Sequence, residues 1–314
     1  MQYLNINELS QRLIKKNEIL KNLESLVNQN GYIKVEPDYF EPYERFIQLN
    51  RRIKKESMVK IQNLDGSISI LRPDITTNLM NLIIPIWSNG NALKIYYVSS
   101  TFRQNKNESI VETKQFGVEY LGGKVEADHE LIYLILSIFN KLNLDFVLEI
   151  GHQKFINALF KELNLSETKE VQLKTIINDK NQFELNKFLK TENITDDCKK
   201  LLNKIFKLEG SLDRITEMLD SITLNADMID ALEELRVIKN YLETEKLLNS
   251  VTFDLSSLSN YDYYNGVTFK GYIKKVAYAI LSGGRYDMLT KEFGKDVPAI
   301  GFSIDLNEVL KEVL

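Results

Sequence analysis

From Ala158 to Leu248 the chain contains no proline and a single glycine, Gly210, and its apolar residues return at helical spacing. Such a stretch can hardly be anything but a run of helices. Strand signals dominate on either side of it, at Tyr32–Val35, Met58–Leu71, Leu93–Arg103, Lys114–Tyr120 and Asp145–Ile150 before it. After it they resume at Val251, Tyr261–Tyr272, Val276–Leu281 and Ala299–Ile304. Strands that follow one another without intervening helices favour antiparallel pairing, so the expected class is α+β: an antiparallel sheet flanked by helices. The expected organisation is a core domain of residues 1–157 and 249–314, interrupted by a helical insertion over 158–248.

Within the core, an amphipathic helix is expected over Ile6–Asn30, capped by Asn7 and ended by Gly31. Asp65-Gly66 is expected as the two-residue turn of a hairpin. Asp74 suits a helix N-terminus after Pro73, and Asp128 suits the cap of a buried helix reaching Asn140. The last residues, from Leu306, form one apolar helical face.

Several function classes are disfavoured by composition. The 314 residues carry a net charge of -4, and acids match the basic residues throughout. That balance argues against a nucleic acid as partner, and the cluster Arg51-Arg52-Ile53-Lys54-Lys55 reads as a solvated surface. Cys198 is the only cysteine, so no intrachain disulfide forms. The two histidines, His129 and His152, do not have the spacing of a metal pair. No metal or cofactor is therefore expected. The most apolar run, Leu131–Phe139, is far short of a bilayer span. Residues 1–7 do not resemble a secretory signal. The expected location is the cytoplasm, with no membrane partner.

Three polar clusters carry the candidate chemistry. In Gln115-Phe116-Gly117-Val118-Glu119-Tyr120, side chains alternate between faces, so Gln115, Gly117 and Glu119 share one. The plain reading is a strand with its polar face to water. A ligand-facing reading gains from Gly117, which permits close approach, and from Arg103, which ends the preceding strand. The second cluster, Ser259 to Gly266, contains Asp262-Tyr263-Tyr264. It reads either as an aromatic strand with an Asn-Gly turn or as tyrosine hydroxyls aimed into a pocket. The third, Leu281 to Asp287, contains Gly283-Gly284-Arg285-Tyr286. It lacks the spacing of a phosphate-binding loop and is expected to be a tight turn.

These clusters, in this order, resemble the histidyl-tRNA synthetase branch of the class II aminoacyl-tRNA synthetases. Leu71-Arg72-Pro73-Asp74 with Thr76 is similar to that family's Arg-Pro-Glu-Gly-Thr segment. Thr101-Phe102-Arg103 with Gln115–Glu119 resembles its second class motif. Asp262-Tyr263-Tyr264 and Gly283–Asp287 resemble its two histidine signatures, and Pro298–Ile304 its third motif. Gly31–Pro37 resembles the first motif, which implies self-association as a dimer. The resemblance implies a class II synthetase-like fold with a histidine pocket. Asp74, Thr76 and Gln115 would hold the α-amino group. Glu119 and Tyr264 would hold the imidazole, with Tyr263 and Tyr286 nearby. Arg103 would face a ligand carboxylate or phosphate, or pair with Glu119 or Asp74.

The departures from the family pattern concern ATP. Ser259 stands where the family has its catalytic arginine, and Glu308 where it has the arginine that meets the triphosphate. Asn105 replaces the glutamate that contacts adenine, and the chain ends after the third motif, without an anticodon-binding domain. One lost transition-state contact costs about 3 kcal/mol. A retained histidine pocket without ATP chemistry resembles the regulatory-subunit family of ATP phosphoribosyltransferase. That resemblance implies a non-catalytic partner of the short catalytic subunit in a hetero-octamer, at the first step of histidine biosynthesis, with L-histidine as effector. The alternative is a divergent synthetase-like enzyme that activates an amino acid with ATP.

Overall fold

The computed structural model describes residues 5–49, 53–105, 109–258 and 263–314. In chain order its elements begin with α1 (Ile6–Gln29), β1 (Ile33–Lys34), β2 (Phe40–Pro42), α2 (Tyr43–Leu49), β3 (Lys60–Gln62), β4 (Ile68–Leu71) and α3 (Ile75–Ile83). They continue with β5 (Leu93–Gln104), β6 (Ile110–Leu121), α4 (Val125–Lys141), β7 (Phe146–His152), α5 (Gln153–Leu163), α6 (Glu167–Asn178), α7 (Gln182–Thr191) and α8 (Asp196–Lys204). Next come β8 (Glu209–Gly210), α9 (Leu212–Leu219), α10 (Ala226–Thr244), β9 (Val251–Asp254) and β10 (Val267–Ile273). The last are β11 (Leu281–Arg285), α11 (Asp287–Glu292), β12 (Ala299–Asp305) and α12 (Leu306–Val313). The chain divides into two compact units, residues 1–146 with 273–314, and residues 147–272. The second unit holds the expected helical stretch and takes in strand residues on both sides of it.

In the first unit, strands run in the order β1-β5-β6-β12-β11. β1 pairs parallel to β5, and β5–β6, β6–β12 and β12–β11 are antiparallel. Register places Glu119 between Ile95 and Gly301, Gly117 between Tyr97 and Ser303, and Gln115 between Ser99 and Asp305. Phe116, Val118, Phe302 and Ile304 alternate to the opposite face and are buried, where α4 packs on β12 and α12 on β6. A separate sheet, β2-β4-β3, closes over its own small core of Phe46, Ile53, Met58 and Ile70.

Local chemistry explains the helix ends. α1 starts with a capping box in which Asn5 accepts from Asn7 and Glu8 while Glu8 accepts from Asn5. The cap is thus Asn5 rather than Asn7, because the box needs a glutamate three residues on. Asp128 lies inside the first turn of α4 rather than at its cap. Its carboxylate is taken by Arg285, at 3.0 Å from Nε and 2.5 Å from Nη2.

Other turns also depart from expectation. The hairpin connection spans 63–67, because Asn63 bonds Ser67 and Ser69 and Asp65 accepts from Ser67. Residues 276–280 form no strand, and β11 starts at Leu281. Gly283-Gly284 lies within β11, not in a turn. A Cβ on Gly283 would sit 2.3 Å from the Gly301 carbonyl, so this glycine serves close strand packing.

In the second unit, strands run β10-β7-β9-β8, with β7 parallel to β9. α5 and α10 pack together, burying Phe155, Ile156 and Leu159 on one helix and Leu232, Leu235 and Ile238 on the other.

One buried cation fastens the first unit. Arg72 is fully buried. Its Nε donates to the Ser100 carbonyl at 2.8 Å, its Nη1 to the carbonyls of Pro37 and Asp38, and its Nη2 to the Ser99 hydroxyl. The guanidinium also stacks over the Tyr39 ring at 4.3 Å. Replacing Arg72 with leucine strands these acceptors without water. The expected loss is about 3–5 kcal/mol of unfolding free energy by urea denaturation, and Arg72→Lys should recover less than half, since an ammonium cannot span the fork.

Candidate functional site

The candidate site is built around Glu119. β6 delivers this carboxylate to the sheet face, where it is 2% exposed. The Thr76 hydroxyl, on the first turn of α3, donates to Oε1 at 2.8 Å. The Tyr286 hydroxyl, just beyond β11, donates to Oε2 at 2.6 Å. Space for the carboxylate comes from β12: a Cβ on Gly301 would lie 1.8 Å from Glu119 Oε2. One pleat along, the Tyr97 ring lies across Gly117, whose own Cβ would clash with it at 2.0 Å. The face is thus paved by an aromatic ring and ends in a buried acid.

The remaining expected residues of this unit cluster around the entrance to α3. Asp74 is its N-cap, and one carboxylate oxygen accepts from the Thr77 amide at 2.9 Å and from the Thr77 hydroxyl. Arg103 Nε donates to the Pro73 carbonyl at 3.0 Å. This contact fastens Arg103 to the segment just before the α3 cap. Gln115 is half-buried on the Glu119 face, four residues away along β6. Thr76 is tied to Glu119 directly, its hydroxyl donating to the carboxylate.

Tyr263 and Tyr264 belong to the second unit. Both are buried, and their rings meet edge to face with centroids 4.8 Å apart. The Gly266 carbonyl that follows them accepts from the Gln153 amide at 2.8 Å. Ser259 and Asp262 lie outside the described residues, as do Arg51 and Arg52. Glu308, on α12, accepts from Lys311 at 2.6 Å and from the Tyr278 hydroxyl. Lys311 holds its carboxyl below the usual range. Reading the sequence missed Gly301 and Tyr97, because only strand register brings them against Glu119 and Gly117.

Burial pushes the Glu119 carboxyl up to about 8, with Asp74 adding to the rise, against the two hydroxyl bonds that lower it. Near neutral pH the empty site therefore holds a proton. A cationic ligand group set against this carboxyl would favour its ionised form.

Folding raises this pKa from 4.5 to about 8, so the native state keeps a proton that the unfolded chain releases across that interval. The associated stability is complete below about pH 4.5 and is lost as pH rises through about 8. The slope reaches at most about 1.4 kcal/mol per pH unit. Thermal melts from pH 5 to pH 8 should show a steeper fall in Tm for the native chain than for Glu119→Gln. Parallel curves would exclude the raised pKa.

The histidyl-tRNA synthetase family profile matches residues 7–309. An ATP phosphoribosyltransferase regulatory subunit from Acetivibrio thermocellus is 33% identical over 299 residues, spanning 92% of this chain and 71% of that protein. One from Oceanobacillus iheyensis is 27% identical, over 98% of this chain and 76% of its own length. A solved structure from Bacillus halodurans, described as an ATP phosphoribosyltransferase regulatory subunit/histidyl-tRNA synthetase, matches with a TM-score of 0.86 at 26% identity. That match covers all of this chain and 82% of the other. The class II synthetase-like fold expected from the sequence is thus the fold observed. The chain belongs to the histidyl-tRNA synthetase family and, within it, to the ATP phosphoribosyltransferase regulatory subunits.

Proposed function

We propose that this chain is a non-catalytic, cytoplasmic regulatory subunit that activates the short catalytic subunit of ATP phosphoribosyltransferase and senses L-histidine. The observation that carries the reading is the Glu119 cradle, a dehydrated acid with two fixed hydroxyls on a face floored by Tyr97. An imidazole offers two nitrogens, and an acid flanked by hydroxyls can answer them in either protonation state. Asp74 and Gln115 are the proposed partners of the α-amino group, and Arg103 is proposed to stand near the carboxylate. Tyr263 and Tyr264 enter the proposal on the sequence resemblance alone.

The absence of catalysis is proposed on the charge at position 308. A synthetase needs a cation against the triphosphate. Glu308 instead presents a carboxylate, neutralised by its own helix neighbour Lys311. Regulation follows by linkage: histidine that prefers one conformation of the assembled complex shifts the catalytic subunit toward it. Dimerisation of this chain and a hetero-octamer with the catalytic subunit belong to the same proposal.

Calorimetric titration of the purified chain with L-histidine should give one saturable site. Glu119→Gln should weaken it about tenfold to a hundredfold, the worth of a hydrogen bond to a charged group. Histidine-dependent exchange of pyrophosphate into ATP should stay at background. No heat, with or without the catalytic subunit, excludes the sensor role. Exchange above background restores an enzyme.

A further inference from the structure

Along α3, its first turn separates two environments. Thr76 reaches toward Glu119, while Thr77, which donates to Asp74, lines a separate cavity of about 370 Å³. Glu41, Arg45, Phe46, Asn78 and Asn81 also line this cavity. Its size falls in the range of small-molecule sites.

Glu41 is only 7% exposed, and its Oε1 has no hydrogen-bond partner. The carboxyl accepts from the Asn78 side chain, and burial with nearby Asp74 pushes it up to about 7. A buried carboxyl oxygen left without a donor is costly, and such groups are rare in folded proteins. Arg72 and Arg45 both act on Glu41 electrostatically, yet neither donates to Oε1, and the Arg45 side chain is exposed. The lining also includes apolar side chains, the buried Phe46 and the exposed Leu82.

A buried acceptor, an exposed cation and apolar lining side chains restrict the ligand. A simple cation would leave Arg45 unanswered and repelling. A simple anion would meet Glu41 and Asp38. A molecule with an N–H-bearing cationic end and a carboxylate end satisfies both. We propose that this cavity binds a small zwitterion of the amino-acid type, its ammonium donating to Glu41 and its carboxylate meeting Arg45, separately from the Glu119 cradle.

The test is calorimetric titration of the purified chain with L-leucine, L-methionine and γ-aminobutyrate. N,N,N-trimethyl-leucine, which lacks N–H donors, and isoamylamine, which lacks the carboxylate, serve as controls. At least one zwitterion should saturate a single site, with each control at least about tenfold weaker. Glu41→Gln should weaken that binding by about tenfold or more, and so should Arg45→Ala, whose exposed position leaves folding intact. Glu119→Gln should leave it unchanged. Absence of saturable heat for all three probes overturns the proposal. So does full affinity in both cavity variants, and so does loss in Glu119→Gln, which would place the probe in the cradle.

Discussion

The first unit is organised around one dehydrated carboxyl. Glu119 is 2% exposed, and among the described residues the Thr76 and Tyr286 hydroxyls answer its two oxygens. An acid in that position is tolerated only if its hydrogen-bonding surroundings are held in place. Several otherwise unrelated features supply that fixity. Gly301 leaves the space on β12, and strand register sets it opposite. Asp74 caps α3 and so positions Thr76. Arg72 and Arg103 hold the Pro73 segment against β5, through the Ser100 and Pro73 carbonyls. Arg285 ties the residue before Tyr286 to Asp128 on α4.

Position 308, where the family resemblance implies a phosphate-binding arginine, is arranged differently. Glu308 is satisfied by Lys311 and Tyr278 within its own neighbourhood. Such a pair needs no ligand, and a phosphate brought beside it would meet a like charge. On the proposed reading, an acid cradle for a cationic ligand and an ion pair at position 308 fit a sensor rather than a catalyst.

Much of this was legible in the sequence, and the failures have physical causes. The helical stretch without proline, the strand alternation around Glu119 and the Asp74 cap are local signals, readable from spacing alone. Gly301 was quoted within a motif, but its function depends on lying across from Glu119, which only pairing reveals. Gly283-Gly284 looked like a turn because double glycines usually are, whereas close contact with the Gly301 carbonyl and Phe302 keeps it in a strand. Asp128 looked like a cap because caps are short polar residues before apolar runs. A distant arginine claims it instead. Glu41 gave no signal, since its burial depends on α3 folding over β2.

The most direct measurement is carbon-detected NMR of the Glu119 side-chain carboxyl at pH 7, assigned against Glu119→Gln. The signal should report a protonated acid in the free chain and an ionised carboxylate once L-histidine saturates it. A carboxylate already ionised without ligand, or a resonance that histidine leaves unmoved, would contradict the role given to this residue.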